Sequence, residues 1–212
     1  MTGGDGTGRE DMRAQLEDHK TVAADLESAL PAVDTVISRL CEAFDVGGRL
    51  YTFGNGGSAA DAQHLAAEMI GRYLRDRRPL PAVALTVDPS VVTCIANDFD
   101  FDRVFSRQLE ALAGPTDVVV AFTTSGRSQN VINGLDAGRR AGATTVLFGA
   151  GDGGPAAAQA DITLLVPSSV TARIQEMHLL LLHLVSEGVD AWAAGERSAV
   201  GNHPRSRRDA SS

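Results

Sequence analysis

His64 and Glu68 stand four residues apart in the stretch GNGGSAADAQHLAAEMIGRY, so on a helix they share one face. A second stretch, ARIQEMHLLLLHLV, carries Gln175, His178 and His183 among leucines. Gln175 and His178 fall on one helical face, and Gln175 and His183, eight apart, align again two turns on. A lone histidine on an apolar helix is more often a core group than a functional one. Here two separate helices each set histidine with a carboxylate or an amide on such a face. Desolvation there raises a carboxylate's pKa and leaves imidazole titratable near neutrality, which general acid–base chemistry requires. The same set, His64, Glu68, Gln175 and His183, suits a divalent metal such as zinc, and spacing alone leaves base and ligand both open.

Two further stretches have the composition of anion-holding turns. TTSGRSQN offers four hydroxyls, Thr123, Thr124, Ser125 and Ser128, just before a helix start whose backbone N–H groups are free. GNGGS, residues 54–58, is a glycine-rich turn of similar kind. The first lacks the Gly-Lys-Ser/Thr of a nucleotide P-loop and the second lacks G-x-G-x-x-G, so neither is a nucleotide fingerprint.

The elements that must position these groups follow from periodicity. Residues 11–44 repeat apolar positions at helical spacing, interrupted at Pro31, which predicts two helices or a kink. RLYTFGNGG reads as a strand into a turn, with Ser58 capping a helix to about Arg75. PAVALTV, DVVVAFTTSG, TTVLFGA and DITLLVP supply four more apolar strands. Helices are expected at 101–112, 129–141 and 171–194, with Asn97 and Asp98 in a polar loop. Five such strands alternating with helices predict a three-layer α/β sandwich with a five-stranded parallel sheet and a helical N-terminus. Both glycine/serine turns follow strand ends, so they share the carboxyl edge of the sheet, where such folds bind ligands.

Composition narrows the classes further. A chain of 212 residues with 43% hydrophobic and 22% charged residues suits one domain, here residues 11–195, between a disordered lead-in at 1–10 and a disordered polar tail at 196–212. A formal charge of −8 argues against non-specific nucleic-acid binding. The most apolar run, 177–185, is too short to span a bilayer and no secretory signal precedes the domain. Cys41 and Cys94 lack metal-like spacing and read as reduced thiols, so a cytoplasmic protein is the expectation.

Together, GNGGSAADAQHLAAEMIGRY, CIANDFDFDRVFSRQLEAL, TTSGRSQNVI and ARIQEMHLLLLHLV, in that order, resemble the sugar isomerase (SIS) family, and more closely its bacterial phosphoheptose isomerases. The resemblance implies a flavodoxin-like sheet and conversion of sedoheptulose 7-phosphate to glycero-manno-heptose 7-phosphate. It implies substrate binding by Asn55, Gly56, Gly57, Glu68, Asn97, Asp98, Thr123, Thr124, Ser125, Ser128 and Gln175, with Thr123 where serine is common. It further implies one zinc per subunit on His64, Glu68, Gln175 and His183, an acid–base pair of Glu68 and His183, and a homotetramer with shared active sites. A rival resemblance is to a non-catalytic SIS adaptor of the replication initiator DnaA. That relative lacks the carboxylate and the imidazole at the Glu68 and His183 positions, and a third possibility is another sugar-phosphate SIS protein. Ala172 departs from the Asp frequent in phosphoheptose isomerases, which bears on rate or substrate preference.

Overall fold

The computed structural model describes residues 6–196. Helix α1 (Gly6–Asp25) leads through a 3₁₀ turn (Leu26–Ala29) into α2 (Leu30–Asp45), with Pro31 in the first turn of α2, where its missing N–H costs nothing. Residues 6–10, expected as part of a disordered lead-in, instead begin α1. The expected polar tail from residue 197 lies outside the described residues.

The sheet contains β1 (Leu50–Gly54), β2 (Ala82–Ala84), β3 (Val118–Phe122), β4 (Thr144–Ala150) and β5 (Ile162–Val166), all parallel, in the order β2-β1-β3-β4-β5. This is the flavodoxin-like order, whose switch point lies between β1 and β3. Every residue of β1 and β3 is buried, because helices cover both faces. Val118, Val120 and Phe122 face a core shared with α2, α3 (Gly57–Ile70) and α8 (Thr171–Ala193). Val119 and Ala121 face the other layer, with Leu109 of α5 (Ser106–Leu112) and Leu135 of α6 (Gln129–Arg140). Each fully buried Val or Phe contributes about 1.5–3 kcal/mol over leaving it exposed.

Further elements differ from the expected bounds. The PAVALTV strand shrinks to β2, an edge strand with Val83 exposed. Residues 97–98 end helix α4 (Pro89–Asp98) rather than lying in a loop. Asp88 starts that helix by accepting the N–H groups of Ser90 and Val91 at 2.9 and 3.1 Å. The expected 101–112 helix divides into a 3₁₀ turn (Phe101–Arg103) and α5. A short α7 (Gly154–Ala157) intervenes between β4 and β5. Among the described residues no helix is long and apolar enough to cross a membrane.

Candidate active site

The two turns leave the carboxyl ends of β1 and β3, the neighbouring strands at the switch point. At the first, α3 starts at Gly57 rather than being capped by Ser58, whose side chain is buried and makes no cap. Gly56 takes φ +58°, a left-handed conformation that other residues rarely adopt, and its carbonyl accepts the N–H of Ala59 at 3.0 Å. Gly57 is held small by a close approach: a Cβ there would stand 2.3 Å from the Gln175 amide nitrogen. Gln175, near the start of α8, thus lies over the mouth of α3.

At the second turn, buried Thr123 points inward, its Oγ1 accepting the Gly126 N–H at 3.1 Å. Ser125 Oγ accepts the Arg127 N–H at 3.2 Å. Ser128 occupies the N-cap of α6 without using its hydroxyl as the cap, and Thr124 is half-buried beside it. From behind, the Ala156 N–H donates to the Gly126 carbonyl at 3.0 Å, so α7 supports the turn. Asn55 and Asn130 tie the two turns by a reciprocal pair of amide bonds, each 2.9 Å. Asn130 is buried and was not among the expected site residues. Its signal was available: it sits inside TTSGRSQN, one residue into the helix.

Two turns deeper along α3, His64 Nε2 lies 3.0 Å from Glu68 Oε1. The His64 ring meets the His183 ring edge-on at 5.1 Å between centroids. One ligand atom from each of His64, Glu68 and His183 lies within 4.8 Å of the others. Two helices therefore bring the expected acid–base pair together within a single chain. Burial first, then the nearby His64, hold His183 below the ordinary imidazole value against the opposing pull of Glu68. This direction favours the neutral ring.

Gln175, the remaining expected ligand, comes from the same helix as His183 and meets the start of α3 at Gly57. Asn97 and Asp98 were also expected in the site. They are exposed at the end of α4, where Asn97 Nδ2 donates to Asp98 Oδ1 at 2.8 Å and Cys94 Sγ lies 3.5 Å from Asp98 Oδ2.

Asp61, three residues before His64, was not among the expected site residues although it is a second carboxylate on the same apolar-striped helix as Glu68. Its Oδ2 is buried without a hydrogen-bond partner. Burial pushes its carboxyl up to about 6, partly opposed by His64. His178 takes the opposite course. It is fully buried between Phe122 and Phe148, and its Nε2 lies 3.0 Å from the Gly149 carbonyl. A carbonyl only accepts, so the proton sits on Nε2 and Nδ1 is left without a partner. Burial presses its value down to about 4, with the Gly149 bond opposing.

A parallel sheet with hydroxyl-rich turns at its switch point, and acid–base side chains on the helices behind them, defines a sugar-phosphate type of α/β domain. The SIS domain family matches residues 16–149. The phosphoheptose isomerase of Geobacter sp. (strain M21) is 46% identical over 182 residues, 85% of this chain and 95% of the relative. That of Aquifex aeolicus is 51% identical over 152 residues, 72% and 79% of the two chains. The solved phosphoheptose isomerase of Neisseria gonorrhoeae superposes with a TM-score of 0.80 at 39% identity, covering 86% of this chain and 98% of its own. The chain belongs to the SIS family and, within it, to the phosphoheptose isomerases, and it is an isomerase enzyme.

Proposed function

We propose that the chain isomerises sedoheptulose 7-phosphate to D-glycero-D-manno-heptose 7-phosphate through an enediol. The observation that carries this reading is the convergence of Glu68 and His183 from two helices. The reaction takes a proton from one of the two carbons C1 and C2 and returns it to the other, while a proton moves between their oxygens in the same sense, from the carbon that becomes the carbonyl to the one that becomes the alcohol. Glu68 moves the carbon proton. His183, whose neutral ring is favoured, takes and returns the oxygen proton and assists ring opening.

Thr124, Ser125 and Ser128, with the N–H groups at the start of α6, hold the phosphate, and Thr123 braces their turn from inside. That grip turns binding energy into placement of the reacting carbons. Asn55, Gly56 and Gly57 take sugar hydroxyls at the mouth of α3, Gln175 adds its amide there, and Asn97 and Asp98 close from α4.

Zinc fits the donor set. Two imidazoles and one carboxylate lie within 4.8 Å of one another, the donor types that zinc takes. His64, Glu68 and His183 would hold a zinc ion, which would polarise the substrate oxygens. Gln175, at the mouth of α3 on the same helix as His183, is the fourth proposed ligand and also reaches the sugar. A homotetramer is the proposed assembly, and the exposed Leu179 and Leu180 of α8 and Leu16 of α1 are surface that a second copy would cover.

The test is isomerisation of sedoheptulose 7-phosphate by wild type, Glu68→Gln and His183→Asn. Each single change is expected to cost about 10²–10⁴-fold in kcat. An inert wild type would refute the assignment. Elemental analysis of the purified protein reports zinc independently.

A further inference from the structure

Helix α3 was expected to run to about Arg75 but stops at Ile70, and the segment that follows, GRYLRDRR, folds back onto α8. At the centre of that return lies an ion pair closed off from solvent: Arg77 Nε donates to Asp190 Oδ1 at 2.9 Å, with the two side chains 1% and 0% exposed. The proposed chemistry uses neither residue.

Every polar edge of the pair is occupied, the condition under which a buried ion pair is tolerated. Asp190 Oδ2 accepts the N–H groups of Arg75 at 2.7 Å and Leu74 at 3.0 Å, and Oδ1 accepts that of Tyr73 at 3.4 Å. Burial alone would raise the Asp190 carboxyl, but these N–H groups and the guanidinium hold it below the usual carboxylate value. On its other side Arg77 reaches the end of α3. Nη2 donates to the Glu68 carbonyl at 2.6 Å, and Nη1 to the Met69 carbonyl at 2.7 Å. Those are last-turn carbonyls without helical partners, and a cation there suits the helix dipole.

Both ends of this link reach the cluster. The carbonyl that Arg77 grips belongs to Glu68 itself. Asp190 lies seven residues after His183, two turns along the same face of α8. Between them, Tyr73 donates its N–H to Asp190 and lays its ring 5.6 Å from the His183 ring, tilted by 30°. We propose that Arg77 and Asp190 are positioning residues, a clamp that fixes the end of α3 against α8 and thereby sets Glu68 and Tyr73 in register with His183. This rests on the isomerase reading for its effect on turnover, but not for its effect on geometry.

The experiment compares wild type, Asp190→Asn, Arg77→Lys and Tyr73→Leu in two readouts. The first is isomerase kinetics on sedoheptulose 7-phosphate. The second is the NMR shift of the His183 ring protons, whose ring-current contribution from Tyr73 is calibrated by Tyr73→Leu. Asp190→Asn keeps the shape of the side chain but removes its charge. Its kcat is expected to fall about 10–100-fold with KM within about 2-fold, and the His183 shift is expected to move toward that of Tyr73→Leu. Should Asp190→Asn fail to fold, Arg77→Lys is expected to show the same two changes, since lysine keeps the charge but cannot span Asp190 and the carbonyls of α3. A folded clamp variant with a lowered melting temperature but unchanged kcat and an unmoved His183 shift would overturn the proposal. If wild type has no activity on this sugar, the isomerase reading fails, and the His183 shift alone decides the clamp.

Discussion

Helix α8 carries two histidines five residues apart that live in different chemical worlds. His178 points into the sheet, sealed between two phenylalanines, with one nitrogen on the Gly149 carbonyl and the other without a partner. His183 points to α3, partly open, beside an imidazole, a carboxylate and a tyrosine ring. Both are depressed by burial, yet only His183 has charged groups facing it that can exchange protons with a substrate. Depression of an imidazole is therefore no mark of function by itself. What separates structure from chemistry on this helix is the company each ring keeps.

The sharpest way to break that contrast is to remove each ring in turn. Replacing His183 by Asn is expected to lower kcat about 10²–10⁴-fold with little change in melting temperature. His178→Ala should do the reverse, costing about 3 kcal/mol of stability through the cavity it leaves, while activity per folded molecule is retained. Denaturant titration beside steady-state kinetics reads both. An equal loss of activity in the two variants would erase the distinction.

The acid response sharpens it further. His178 is depressed to about 4 in the fold against 6.5 unfolded, so between those values the unfolded chain binds the extra proton. Stability from this site is complete above pH 6.5 and is lost as pH falls toward 4, about 3 kcal/mol in all. Comparing unfolding of wild type and His178→Leu at pH 7 and pH 4 isolates that term, with the wild type losing more. At the β3–α6 turn, Ser128→Ala should raise KM by roughly 10-fold or more, the worth of a hydrogen bond to a charged group, and leave the fold unchanged.

The smallest effect concerns Asp61, whose carboxyl is raised to about 6. A raised carboxyl favours the fold below the unfolded value near 4, and that contribution is lost as pH rises through 6. Asp61→Asn should therefore stabilise at pH 7, by about 1 kcal/mol or a melting temperature roughly 2–4 °C higher. A thermal melt that drops instead would mean the carboxylate has a partner it prefers.

Much of this was legible in the sequence because parallel strands buried on both faces are nearly continuous apolar runs, as VVVAF is. The β2 edge strand was harder, since a single hydrogen-bonded neighbour holds only Ala82–Ala84. The α4 start could have been read from Asp88-Pro89, an N-cap followed by a proline in the first turn. The Ser58 cap misled because the glycines of the turn bring the helix start forward to Gly57. In the site, His64 and Glu68 are local and readable from spacing. Their meeting with His183, and the clamp of Arg77 on Asp190, join residues more than a hundred positions apart, which periodicity cannot encode.

The account stands on Glu68 and His183 working as one unit across two helices. A double-mutant cycle on kcat measures this directly, with Glu68→Gln, His183→Asn and the pair together. The double variant is expected to lose about as much as the worse single variant. Losses that multiply in full would show two independent groups and contradict the convergence at the centre of the site.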